Sequence, residues 1–135
     1  MKDAARWATV TVVVHTVVVS VHAGAHQALQ ILPSGFDAVF IGVVFYVAPV
    51  VSALLLRSRP GVARPLLFVS MLAGLLYGAT YHYILPTPDN VALVASVGWG
   101  LVFQATTVVL AVLEAIGVAI GIILLRTPRP PSPGA

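Results

Sequence analysis

Cysteine is absent from this chain, which excludes disulfide staples, dithiol redox chemistry, thiolate metal sites and thiolate-ligated haem. Charge is nearly as scarce. Seven Lys and Arg and four Asp and Glu make up 8% of the 135 residues, against about a quarter in a soluble domain. There is no Walker A loop, GxSxG elbow, HExxH pair or dinucleotide Gly motif, which speaks against a cytosolic nucleotide-driven activity. Aspartates sit only at the edges of apolar stretches, so a dense carboxylate metal cage is not expected either.

What fills the chain instead is apolar, at 59% of residues. That composition reads as an all-α integral membrane protein, with no residues left over for a large soluble domain. A sequence pI near 9.8 is compatible with nucleic-acid binding. The few basic residues cluster at the edges of the apolar stretches, however, so membrane anchoring accounts for them and no nucleic-acid partner is expected.

Four apolar stretches emerge, at about residues 7–32, 38–56, 65–85 and 91–125. The first three approach the ~20 residues needed to cross a ~30 Å hydrocarbon core. The fourth, as one straight helix, would be roughly 50 Å long. It is therefore expected to leave the core over about 91–98 or to bend near Gly98 and Gly100, with Trp99 at the outer interface. Leu32-Pro33-Ser34-Gly35 breaks the chain after the first helix, and Asp37 can help start the second. Arg57-Ser58-Arg59-Pro60-Gly61 ends the second, Pro65 suits the first turn of the third, and Asp89 or Asn90 can cap the fourth. The Pro-rich tail, 127–135, reads as disordered. The whole is a four-helix transmembrane bundle in one domain, 1–126.

All seven basic residues fall on one side of that bundle: Lys2, Arg6, Arg57, Arg59, Arg64, Arg126 and Arg129. Asp37 and Asp89 fall on the other. The bias predicts a multi-pass protein of a prokaryotic inner (cytoplasmic) membrane, with both termini in the cytoplasm. Residues 1–25 also have the outline of a signal peptide, with Ala23-Gly24-Ala25 as a small-residue cleavage site. Cleavage would leave His26 as a free amino terminus and a bidentate copper ligand, but His15 interrupts the apolar run.

Polar residues inside the apolar stretches carry the functional reading, because they are costly in hydrocarbon. His15, His22 and His26 are spaced seven and four apart, and so share one helix face. Counting from the arginines at 1.5 Å per residue puts His15, Glu114 and Tyr46 at about 13–18 Å, near the midplane. His22, His26 and His82 come out at about 24–30 Å, near the outer surface, with Gln27, Gln30 and Gln104 nearby. The outer trio suits a histidine-ligated cofactor: a b-type haem between helices, or an ion such as Zn or Cu. It equally suits imidazoles sitting at a wet interface with no cofactor. The small residues Ala23, Gly24, Ala25, Gly74, Gly78 and Ala79 would let a flat macrocycle approach, and would also permit tight helix packing. The deeper group, Glu114 with His15 and Tyr46 as a third member, suits a proton or cation relay, or a structural hydrogen bond between helices.

Gly117 and Gly121 form a GxxxG pair on the fourth helix, open to a neighbour within the bundle or to a second subunit in a homodimer or larger complex. In size and span count the chain resembles the small multidrug resistance transporters, whose membrane glutamate lies in the first helix rather than the fourth. The quinone-linked DoxX-like proteins share the same size and span count. Neither likeness carries residues over. The sequence thus points to an electron-transfer or respiratory-complex subunit, to a proton-coupled transporter, or to an assembly subunit without chemistry.

Overall fold

A computed structural model describes residues 2–33 and 35–128. Arg129 and the remainder of the Pro-rich tail lie outside the described residues. Four helices follow one another: α1 (Lys2–Leu29), α2 (Gly35–Leu55), α3 (Pro60–Ile84) and α4 (Trp99–Arg126). All four are long and apolar enough to cross a membrane, and no strand occurs among the described residues. α1 packs chiefly on α4, α4 on α3, and α3 on α2.

The bundle is apolar outside and polar within. Trp7, Val13, Val17, Leu54, Val69, Leu76, Val108 and Ile123 are exposed, whereas His15, His22, Ser52, Ser70, Thr107 and Glu114 are buried. A lipid bilayer fits that distribution and water does not. The buried positions of α4 are Gly100, Phe103, Thr107, Leu110, Glu114, Gly117, Gly121 and Leu124. Their alternating steps of three and four are the seam of a left-handed helix pair. On α1, Ala8, Val12, His15, Val19 and His22 repeat the same steps and face that seam. His15 and His22, one heptad apart, are therefore delivered to the interior together.

Gly117 and Gly121 are spent inside this seam. A Cβ at Gly117 would stand 2.6 Å from Met71 Cγ, and one at Gly121 would stand 3.0 Å from the Phe68 Cα. Of the two neighbours the GxxxG pair allows, the structure shows the one within the bundle: α3 of the same chain covers Gly117 and Gly121.

The irregular stretch before α4 also departs from expectation. α4 starts at Trp99, and 91–98 is a chain of turns rather than helix. Gly98 precedes the helix at φ +52°, a conformation that suits a residue without Cβ. Asp89 and Asn90, expected as caps, lie in the preceding loop instead. The Gln104 amide donates to the Val91 and Val94 carbonyls at 2.9 and 2.8 Å, fastening the turns to the first coils of α4. α3 begins five residues earlier than Pro65, with Pro60 in its first turn. α1 likewise reaches back to Lys2 and stops at Leu29.

Two helices contain π-helical turns, Gly42–Val47 in α2 and Thr80–Ile84 in α3. Such turns carry an extra residue per coil and recur at functional sites. Here the first holds Phe45 and Tyr46, and the second holds His82.

Candidate metal centre

α1 ends one turn after His26 in a left-handed residue. Gln30 has φ +57°, the Gln30 N–H donates to the Gln27 carbonyl, and the Ile31 N–H donates to the His26 carbonyl at 3.0 Å. This is a Schellman closure with glutamine where glycine is usual. Its consequence is local. The Ile31 carbonyl is folded back beside His26 and accepts a hydrogen bond from His26 Nδ1 at 2.8 Å.

The other two histidines are fixed in the same manner. His82 Nδ1 donates to the Asp89 backbone carbonyl at 2.9 Å. His22 Nδ1 shares a hydrogen bond with Thr106 Oγ1 at 2.8 Å, and the Thr106 hydroxyl is also within reach of the Val102 and Phe103 carbonyls. A carbonyl accepts and cannot donate, so His26 and His82 carry the hydrogen on Nδ1 and keep a lone pair on Nε2.

Ring nitrogens of the three histidines converge. His22 Nε2 and His26 Nε2 stand 3.1 Å apart. One ring nitrogen from each of His22, His26 and His82 lies within 4.8 Å of the other two. Two nitrogens bound to one tetrahedral zinc at 2.0–2.1 Å would be separated by ~3.3 Å. The His22–His26 pair is already at that spacing, and His82 needs a short rotation to join it. A shared proton would satisfy two of the nitrogens. A single metal ion could engage all three.

Phe103 forms the floor. It is fully buried, stacks on His22 at 5.0 Å, and meets His26 and His82 edge-on at 5.1 and 5.3 Å. Asp89 supplies a nearby charge. Its Oδ1 is buried, 3.4 Å from His26 Nδ1, and out of hydrogen-bond geometry because that N–H is taken by Ile31. A carboxylate behind a metal-ligating histidine is the usual outer-shell partner.

A cavity of about 220 Å³ extends from the trio toward the middle of the bundle, lined by His22, His26, His82, Tyr46, Asp89 and Glu114 among others. Glu114 stands deep within it. Its Oε1 lies 3.4 Å from His15 Nε2, and both side chains are buried. Gly74 makes room for this carboxylate: a Cβ there would come 2.9 Å from Oε1. A Cβ at Gly78 would have Glu114 Oε2 on one side and His82 Cδ2 on the other, each at 3.9 Å. Glu114 and His82 are thus no more than twice that distance apart.

The structure accordingly brings together His22, His26 and His82 in one group, and His15 with Glu114 in another. Tyr46 belongs to neither hydrogen-bond network. Among the described residues no hydrogen bond joins it to His15 or Glu114; it lines the cavity, and its neighbour Phe45 stacks on His15 at 6.2 Å. Sequence reasoning missed Asp89 and Thr106 as partners of the histidines, and Phe103 as their floor. Phe103 had a signal, since it falls on the same heptad register as Glu114. Asp37, placed by its sequence at the start of α2, accepts hydrogen bonds from the Tyr77 and Tyr81 hydroxyls at 3.2 and 3.4 Å. Comparison with family models, curated proteins and solved structures finds no match, so the chemistry is argued from geometry alone.

Proposed function

We propose that this protein is a small membrane-embedded metal-binding protein in which His22, His26 and His82 hold one transition-metal ion. The observation that carries this reading is the meeting of ring nitrogens from three histidines within 4.8 Å, two of those rings being oriented by Nδ1 hydrogen bonds to backbone carbonyls. Three neutral imidazoles bring no charge to the ion. Asp89 beside His26 brings a carboxylate to one side of the ion, and the Glu114 carboxyl lies in the same cavity, which suits a cation in a low-dielectric interior. Imidazole ligands favour zinc or copper over magnesium or calcium. By the basic bias of its loops, the histidine end faces away from the cytoplasm.

A b-type haem is the other cofactor that two of these histidines can serve, in electron transfer or as part of a respiratory assembly. A bare ion suits the geometry better, because Phe103 packs against all three rings and a Glu114 carboxylate occupies the space beside Gly74. Absorption spectra of the purified protein, oxidised and dithionite-reduced, separate the two when read beside metal analysis of the same sample. The expected result is one zinc or copper per chain and no Soret band. A Soret band that sharpens on reduction would assign haem. A sample that is colourless, metal-free and silent to added Zn²⁺ would overturn the site.

Asp89→Asn tests the charge behind His26 while keeping the backbone carbonyl that holds His82. Metal affinity is expected to fall by up to ~10-fold, the low end of the effect of losing an outer-shell partner, because Asp89 acts on His26 by charge and not by a hydrogen bond. Competition against a chelator of known affinity measures it, and unchanged affinity would remove Asp89 from the site.

A transport reading rests on one further observation: Glu114 lines the cavity that the trio opens into. In that reading the ion is cargo, and Glu114 with His15 receives it. Glu114→Gln should then abolish Zn²⁺ uptake into proteoliposomes while the trio still binds. No uptake by the parent would leave a resident metal site, and uptake unchanged in the variant would remove Glu114 from the path.

A further inference from the structure

The opposite end of the bundle holds a second, wider cavity of about 1020 Å³. Its rim is arginine: Arg6 from α1, Arg57 from the turn after α2, and Arg64 from α3. Its lower wall is apolar, formed by Val10, Ala53, Leu54 and Leu124. Arg6 and Arg57 are exposed, but Arg64 is buried, only 8% accessible.

Arg64 is short of partners. One of its five N–H groups donates to the Thr127 carbonyl just past the end of α4, at 2.8 Å. Among the described residues, no arginine lies within ion-pair distance of a carboxylate. Asp3 is the single acidic residue on the cavity wall, against three guanidinium groups. A buried guanidinium with one neutral partner is an expensive arrangement unless an anion completes it. Arg64 lines the cavity beside Arg6 and Arg57.

The walls say which kind of anion. A small free ion needs only the arginines. Here the arginine rim continues into an apolar wall, and Val10 and Leu54 on that wall are also exposed on the outer face of the bundle. The ligand this shape fits has a phosphate at one end and hydrocarbon at the other, with the hydrocarbon running down between α1 and α2. We infer that the arginine-lined cavity is a binding site for the headgroup phosphate of an anionic phospholipid, seated on Arg6, Arg57 and Arg64. The site owes nothing to the metal centre, and its success or failure leaves that centre untouched.

Retention of lipid by the whole protein tests it. The protein is reconstituted in a 1:1 mixture of phosphatidylglycerol and phosphatidylcholine, extracted into mild detergent, and its retained lipid is quantified. Phosphatidylglycerol should be enriched over the bulk ratio, and Arg64→Gln should cut that preference about fivefold, the effect of one arginine near a charged lipid surface. Arg57→Gln, at an exposed helix end, should cut it in the same direction and guards against a packing defect in the Arg64 variant. Retention at the bulk ratio would overturn the inference, as would equal enrichment in the parent and both variants. Inorganic phosphate is the remaining arm. If millimolar phosphate displaces the retained phosphatidylglycerol completely, the cavity is a small-anion site and the lipid assignment fails.

Discussion

Replacing His82 with alanine is expected to weaken Zn²⁺ binding by more than ~100-fold while leaving the bundle folded. Losing an outer-shell partner costs ~10–100-fold, and losing a ligand nitrogen costs more. His22 and His26 remain an i, i+4 pair on one helix face and can still grip an ion weakly, so binding falls without vanishing. The structural loss is small. The imidazole gives up one hydrogen bond to the Asp89 carbonyl, worth about 1 kcal/mol. Helicity by circular dichroism should therefore match the parent. His15→Ala is the informative comparison, because His15 belongs to the Glu114 pair and not to the trio. Its metal affinity should stay at the parent value. Equal loss in both variants would mean that zinc sits at Glu114, and no loss in either would place it elsewhere.

The second large effect concerns packing. Gly121→Ala is expected to destabilise the bundle by about 1–3 kcal/mol, the range for an overpacked interior. Gly117→Ala should cost less, although its nearest contact is the shorter one. The distinction lies in what the new methyl meets. At Gly117 it meets the Met71 side chain, an unbranched thioether that can swing aside. At Gly121 it meets the Phe68 Cα at 3.0 Å, which can retreat only if α3 moves as a whole. Thermal unfolding in one detergent reads the order of the two variants. A Gly117 variant less stable than the Gly121 variant would show that the α3–α4 seam is looser than the structure has it.

Much of this architecture was legible because membranes leave so few options. Helices are the main way to satisfy a backbone in lipid, so hydropathy and seven arginines and lysines placed the spans. Counting residues from the arginines also separated His15 from the other three histidines, the same grouping that the bundle makes. The heptad steps of His15 and His22 required no tertiary information. The partners were harder. Asp89 reaches His26 and His82 only because 91–98 folds into turns instead of extending α4, and an apolar run gives no warning of that. Thr106 is bonded to its own helix and meets His22 as well, and a threonine in an apolar run signals only the first. Tyr46 was placed by depth alone, and depth carries no information about rotation. The π turn in α2 sets that rotation, giving Phe45 to His15 and Tyr46 to the cavity wall.

The π turn over Thr80–Ile84 has a genetic reading. An α-helix spaces residues ~100° apart, so deleting one residue between Gly74 and this turn, with the turn itself kept, would swing His82 by about that angle. The imidazole would leave the trio for the lipid face, while the apolar composition of the segment stayed nearly the same. The trio and a featureless transmembrane hairpin therefore stand a single codon apart. In an alignment of related chains, the mark of a binding-competent member would be a length, the number of residues between Gly74 and the Pro86–Pro88 loop, as much as the presence of a histidine.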